Sequence, residues 1–130
     1  CKNGYFGQIV GKYIAIQTIS SSGKSGMTLY RKSDGQKIKT ITSNCSYYEF
    51  IDNTFYYVEP IAEFKYKIKS YNIEKKKTIT YGTIKANEFG AITSKYLYYS
   101  NGPMIGECKY YKYSFAKKKS IRITEEAFQY

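Results

Sequence analysis

The strongest constraint on this chain is that it repeats itself three times. Phe6-Gly7-Gln8-Ile9, Tyr48-Glu49-Phe50-Ile51 and Phe89-Gly90-Ala91-Ile92 each set an aromatic three residues ahead of an isoleucine. The aromatics lie 42 and then 41 residues apart. Seven residues after each, a second apolar run opens: Tyr13-Ile14-Ala15-Ile16, Phe55-Tyr56-Tyr57-Val58 and Tyr96-Leu97-Tyr98-Tyr99. A third run in each copy carries Tyr30, Tyr71 or Tyr113, and eight residues further on stand Ile38, Ile79 and Ile121. A fixed period of this length is the mark of a chain built by stacking one supersecondary unit.

Each copy reads as strand, tight turn, strand, longer loop, strand, turn, strand. The tight turns Val10-Gly11-Lys12, Asp52-Asn53-Thr54 and Thr93-Ser94-Lys95 separate the first two strands, with Gly, Asp and Asn supplying positive φ. The polar stretches Ser33-Asp34-Gly35-Gln36, Glu74-Lys75-Lys76-Lys77 and Ala116-Lys117-Lys118-Lys119 separate the last two. Composition agrees: 18% of the residues are aromatic, with seventeen Tyr and seven Phe, which favours strands over helices. The expected fold is all-β, with four-stranded antiparallel β-propeller blades at about 5–44, 47–86 and 88–126, and residues 127–130 as the start of a fourth. The pairs Tyr47-Tyr48, Glu88-Phe89 and Gln129-Tyr130 fall in register for such a start.

A β-trefoil, which also has three repeats of four strands, is the alternative. The second strands favour the propeller because they are apolar at nearly every position, as expected where neighbouring blades cover both faces. The segments Leu29-Tyr30-Arg31-Lys32-Ser33-Asp34-Gly35 and Lys69-Ser70-Tyr71-Asn72-Ile73-Glu74 resemble the third strand and following turn of TolB-like propeller repeats. The resemblance implies a fold and says little about activity. WD-type blades are excluded, since the chain has neither His nor Trp. Closed propellers usually have four to eight blades. Three blades are therefore expected to be part of a larger propeller, or half of a six-bladed ring made by two copies related by a two-fold axis.

Nothing in the sequence marks a catalytic, metal or cofactor site. Without His, the commonest general base and metal ligand is missing, and a Ser–His–Asp or Cys–His arrangement is impossible. Ser22-Gly23-Lys24-Ser25-Gly26 mimics part of a phosphate loop, but lacks the required first glycine and any following helix. The sparse cysteines Cys1, Cys45 and Cys108 are expected to be free or partly buried thiols, with a single bridge between two of them left open. No run of eighteen apolar residues is present, so no transmembrane helix is expected. There is no signal-peptide pattern. A chain beginning at Cys1 fits a trimmed N-terminus or a processed lipoprotein of the cell envelope, although Tyr5-Phe6 already reads as strand and leaves little tether.

The reading is thus a non-enzymatic binding or scaffolding module, with a carbohydrate- or polyanion-binding trefoil lectin as the alternative. In a blade, the second-to-third and fourth-to-first connections share one end, and the two tight turns share the other. The loop end is expected to meet a protein or peptide partner through Glu59, Phe64, Asn101, Met104 and Ile105. The turn end gathers Lys75, Lys76, Lys77, Lys117, Lys118 and Lys119, a surface for weak contact with an anionic partner. The net charge is +11, but only Arg31 and Arg122 among 21 basic residues are arginines, so there is no signal for specific nucleic-acid readout.

Overall fold

The computed structural model describes residues 4–102 and 109–123. Among them lie twelve strands and no helix. Strands β1 (Gly4–Val10), β2 (Tyr13–Ile19), β3 (Ser25–Arg31) and β4 (Lys37–Thr42) make the first sheet. The second is β5 (Tyr47–Ile51), β6 (Thr54–Ala62), β7 (Lys65–Asn72) and β8 (Lys77–Lys85). The third is β9 (Glu88–Ile92), β10 (Tyr96–Asn101), β11 (Lys109–Ser114) and β12 (Lys119–Ile123). Each sheet is an antiparallel meander paired in chain order. These are propeller blades. A trefoil would pool hairpins from all three repeats into one barrel, so that alternative falls. The expected fourth-blade start at 127–130 lies outside the described residues.

One backbone hydrogen bond recurs in every blade and sets the true register of the repeat. The amides of Lys32, Ile73 and Phe115 donate to the carbonyls of Lys12, Asn53 and Lys95 at 2.9, 2.8 and 3.2 Å. It ties the first turn of each blade to the second. Two residues beyond those carbonyls stand Ile14, Phe55 and Leu97, which are therefore the equivalent positions of β2, β6 and β10. The aromatic matching of Tyr13 with Phe55 and Tyr96 is one residue out at both ends. A one-residue slip on a strand moves a side chain to the opposite face. Tyr13 packs toward the second blade, whereas Phe55 packs toward the first.

The core is two interfaces between blades. Ala15, Met27, Leu29 and Cys45 of the first blade meet Phe55, Tyr57, Tyr71 and Ile73 of the second. Val58, Ile68, Ile84 and Ala86 of the second meet Leu97, Tyr99, Tyr113 and Phe115 of the third. Strand β6 thus feeds both: Phe55 and Tyr57 point one way, Tyr56 and Val58 the other. Its unbroken apolar run is explained by burial on both faces. Phe55 and Val58 are fully buried, and burial of such side chains stabilises by roughly 1.5–3 kcal/mol each. Stacked rings extend the second interface, with Tyr56 on Phe115 at 4.8 Å and Tyr47 of β5 on Phe89 of β9 at 5.4 Å.

The stretch from Glu59 to Phe64, expected at the loop end, is mostly strand. Strands β6 and β7 pair out to Ala62 opposite Lys65, which leaves Glu63 and Phe64 as the turn. Pro60 is tolerated because β5 stops pairing at Val58. Beyond that point β6 has an open edge, where a missing N–H costs nothing.

Candidate functional site

The meander carries the β1–β2, β3–β4, β5–β6, β7–β8, β9–β10 and β11–β12 turns to one end of the blades. The remaining connections lie at the other. The turn end is built the same way in each repeat. At the β3–β4, β7–β8 and β11–β12 turns, Gly35, Lys76 and Lys118 have φ of 71°, 54° and 54°. In the second and third blades a polar side chain four residues before the left-handed residue secures the turn. The Lys75 amide donates to Asn72 Oδ1 at 2.9 Å, and the Lys117 amide to Ser114 Oγ at 3.1 Å. The first blade uses charge instead. Arg31 Nη1 donates to Asp34 Oδ2 at 3.0 Å, while Asp34 Oδ1 accepts from the Gln36 amide at 3.0 Å. The Gln36 amide, and after it Arg31, hold the Asp34 carboxyl below the usual carboxylate range.

This construction places Lys75, Lys76, Lys77, Lys117, Lys118 and Lys119 at one end, all of them exposed. Lys12, Lys32, Lys37 and Lys95 join them there. Against these ten lysines and Arg31 stand the carboxylates Asp34, Asp52 and Glu74, the first already tied to Arg31. Most of the chain's net charge therefore sits at this end. The β9–β10 turn departs from its counterparts: Thr93 Oγ1 accepts the amides of Lys95 and Tyr96 at 3.2 and 3.0 Å, so a hydroxyl shapes this turn.

A recess of about 380 Å³ opens at this end of the first blade, lined by Gly11, Lys12, Tyr13, Arg31, Lys32 and Ser33. Arg31, Lys32 and Tyr13 were not among the residues that the sequence singled out for binding. The available signal was Arg31, one of only two arginines, next to Lys32 in a turn.

Of the residues expected at the loop end, Glu59, Phe64 and Asn101 lie among the described residues. Glu59 lies within β6 and is committed to structure. Its Oε1 meets Lys69 Nζ at 2.7 Å, and its Oε2 accepts a hydrogen bond from Thr42 Oγ1 of the first blade at 2.6 Å. It thereby braces two blades. Phe64, at φ 58°, is exposed at the tip of the β6–β7 turn, near the exposed Ile61. Asn101 ends β10 and is half-buried. Met104 and Ile105 lie outside the described residues. Near Glu59, in the link between the first two blades, Cys45 is a buried free thiol. Burial, and then the Glu59 carboxylate, push its pKa up to about 11. Among the described residues no three His, Cys, Asp or Glu side chains come together as a metal-binding group. No helix among them is long and apolar enough to cross a membrane.

The two end blades differ from the middle one in a specific way. Ile68 in β7 is 1% exposed under the third blade, whereas its equivalent in β11, Tyr110, is 44% exposed. On the opposite face of the assembly, Ile14 and Ile16 occupy the places of Phe55 and Tyr57 but are only half-buried, and Ile9, paired with Ile14, is 65% exposed. A cavity of about 240 Å³ opens beside Tyr110 on the third blade, with Glu88, Gly90, Tyr98 and Ile123 in its walls.

The fold is similar to that of the β-propeller domain of the Trilobed protease from Pyrococcus furiosus, which is described as having an open velcro topology. The TM-score is 0.57 at 8% sequence identity, over 95% of this chain and 44% of that one. This chain thus spans less than half the length of its structural neighbour. No protein-family model matches the sequence, and no curated protein matches it.

Proposed function

We propose that this chain is a non-enzymatic, protein-binding module of propeller type, and that a second copy of itself is its partner. The observation that carries the reading is the contrast between equivalent positions, buried in the middle blade and more exposed in the end blades. In both interfaces within the chain, one blade's Ile68-type face packs on the next blade's Phe55-type face. The third blade of one copy and the first blade of another offer that same pairing. The apolar projection of Ile9 and Ile14 matches the cavity beside Tyr110 and Tyr98 in character. Two such contacts about a two-fold axis give six blades.

These end faces are more polar than the interior ones. Lys112 stands where the middle blade has Ser70, and Lys32 where the other blades have Ile73 and Phe115. Such a surface suits a reversible association better than an obligate one, since obligate interfaces resemble a core cut in half. Exposed Phe64 and Ile61 at the loop end support a further protein or peptide contact. The resemblance of the third-strand segments to TolB-like repeats agrees with a propeller fold. The absence of His from the chain, and the engagement of Glu59 and Asp34 in structural bonds, support a non-enzymatic role.

Light scattering across a concentration series tests this reading. The expected result is a mass rising from monomer to dimer, and a return to monomer on Tyr110→Glu. A wild-type chain that stays monomeric at every concentration overturns self-association.

A further inference from the structure

The recess at the turn end of the first blade differs from the same place in the other two. In each blade the hydrogen bond between turns brings two residues side by side. In the second these are Asn53 and Ile73, and in the third Lys95 and Phe115, with Ile73 and Phe115 buried against the preceding blade. Only in the first are both lysines, Lys12 and Lys32, fixed together by the 2.9 Å bond from the Lys32 amide to the Lys12 carbonyl. Both side chains are exposed, and among the described residues no carboxylate lies within ion-pair distance of either. Arg31 beside them is paired with Asp34, so the uncompensated charge of the recess comes from the two lysines.

Four features define the ligand. The volume of about 380 Å³ is large enough for a sugar ring and too large for a bare inorganic anion. Two exposed lysines whose backbones are bonded to each other favour a ligand with more than one negative charge, and the surrounding lysines raise its local concentration. The cations free to bind are lysines, compact point charges without the planar fork that reads phosphate and base edges. Tyr13 supplies an aromatic wall against which the apolar face of a sugar can lie. We propose that this recess binds one unit of an acidic saccharide, a uronate or a sulfated sugar, with Lys12 and Lys32 on its anionic groups and Tyr13 against its ring. The lysines of the second and third blades then follow the rest of the chain through long-range attraction, without a defined geometry.

Calorimetric titration of the whole chain with a heparin tetrasaccharide, with tetragalacturonate and with a thymidine oligonucleotide of matched charge tests the assignment. The expected result is one saturable site for at least one saccharide, weakened by salt. Preference for the heparin fragment identifies sulfate as the anionic group, and preference for galacturonate identifies carboxylate. Lys12→Gln with Lys32→Gln is expected to weaken binding about tenfold or more, and Lys76→Gln with Lys118→Gln only severalfold. Equal losses from the two pairs would show diffuse attraction and overturn the site. Tighter binding of the oligonucleotide, or no saturable binding of either saccharide, would overturn it as well. These outcomes are independent of the dimer, because Tyr110→Glu is expected to leave saccharide affinity unchanged.

Discussion

The hydroxyl of Tyr113 in β11 is packed against Gly82 of the neighbouring blade so closely that a β-carbon on Gly82 would stand 2.9 Å from its oxygen. The hydroxyl is buried and has no hydrogen-bond partner among the described protein groups. The glycine is required here for the room it leaves, and the contact joins β8 of the second blade to the third. Gly82→Ala is expected to destabilise the chain by about 1–3 kcal/mol, the usual range for overpacking. Tyr113→Phe removes the buried polar atom and is expected to be neutral or to stabilise by about 1 kcal/mol. Its ring leaves only an ordinary 3.8 Å contact to the new methyl group. The double variant should therefore lose most of the Gly82→Ala penalty. Urea denaturation of the four chains checks this, and additive effects would place the penalty elsewhere.

The brace from Thr42 through Glu59 to Lys69 spans two blades and is partly shielded, each ionic partner being 24% exposed. Glu59→Ala is expected to cost about 1–3 kcal/mol by leaving Lys69 and Thr42 without their shared partner. An exposed pair such as Arg31–Asp34 is worth less, and Asp34→Ala should shift stability mainly by loosening its own turn. Comparing the two variants by thermal melting, with and without salt, separates the cases. The Glu59 effect should persist in salt.

Lys76 and Lys118 hold a left-handed backbone that the first repeat assigns to Gly35. A side chain in that region costs roughly 1–2 kcal/mol, partly offset by the lower chain entropy of a non-glycine residue when unfolded. Lys76→Gly and Lys118→Gly are each expected to stabilise by up to about 1 kcal/mol, measured by chemical denaturation. The same change at Lys75, whose amide caps on Asn72, should bring no gain.

Cys45 couples stability to alkaline pH. Its thiol is raised from 9.0 to about 11 in the folded chain, so the fold favours the protonated form. That contribution is complete below pH 9 and is lost as pH climbs from 9 toward 11, where the unfolded chain ionises first. The loss is at most about 3 kcal/mol. Cys45→Ala should flatten the decline between pH 9 and 10. Above that range the tyrosines with raised values, Tyr99 and Tyr113 among them, continue it in the same direction through their burial. Denaturation midpoints against pH for the two chains decide the point.

The sequence by itself determined the strands, their number per repeat and the covering of β6 on both faces. These follow from short-range patterning: where aromatic and β-branched residues cluster, where Gly, Asp and Lys break them, and how often the pattern returns. It also determined that the turn lysines share one end, because a meander of known strand order leaves no choice. Tertiary structure alone decided which of two adjacent aromatics faces which blade. Tyr56 and Tyr57 are equally apolar, and only the bonds from Lys32, Ile73 and Phe115 to the preceding turns fix the phase that sends them apart. It likewise moved Glu59 from an expected loop site into a strand, held by Lys69 of its own blade, 10 residues away, and by Thr42 of the first blade, 17 residues away, which it meets only when two blades pack. The pairing of Lys12 with Lys32 was hidden for the same reason. Twenty residues of β-meander separate them, and one backbone hydrogen bond makes them neighbours.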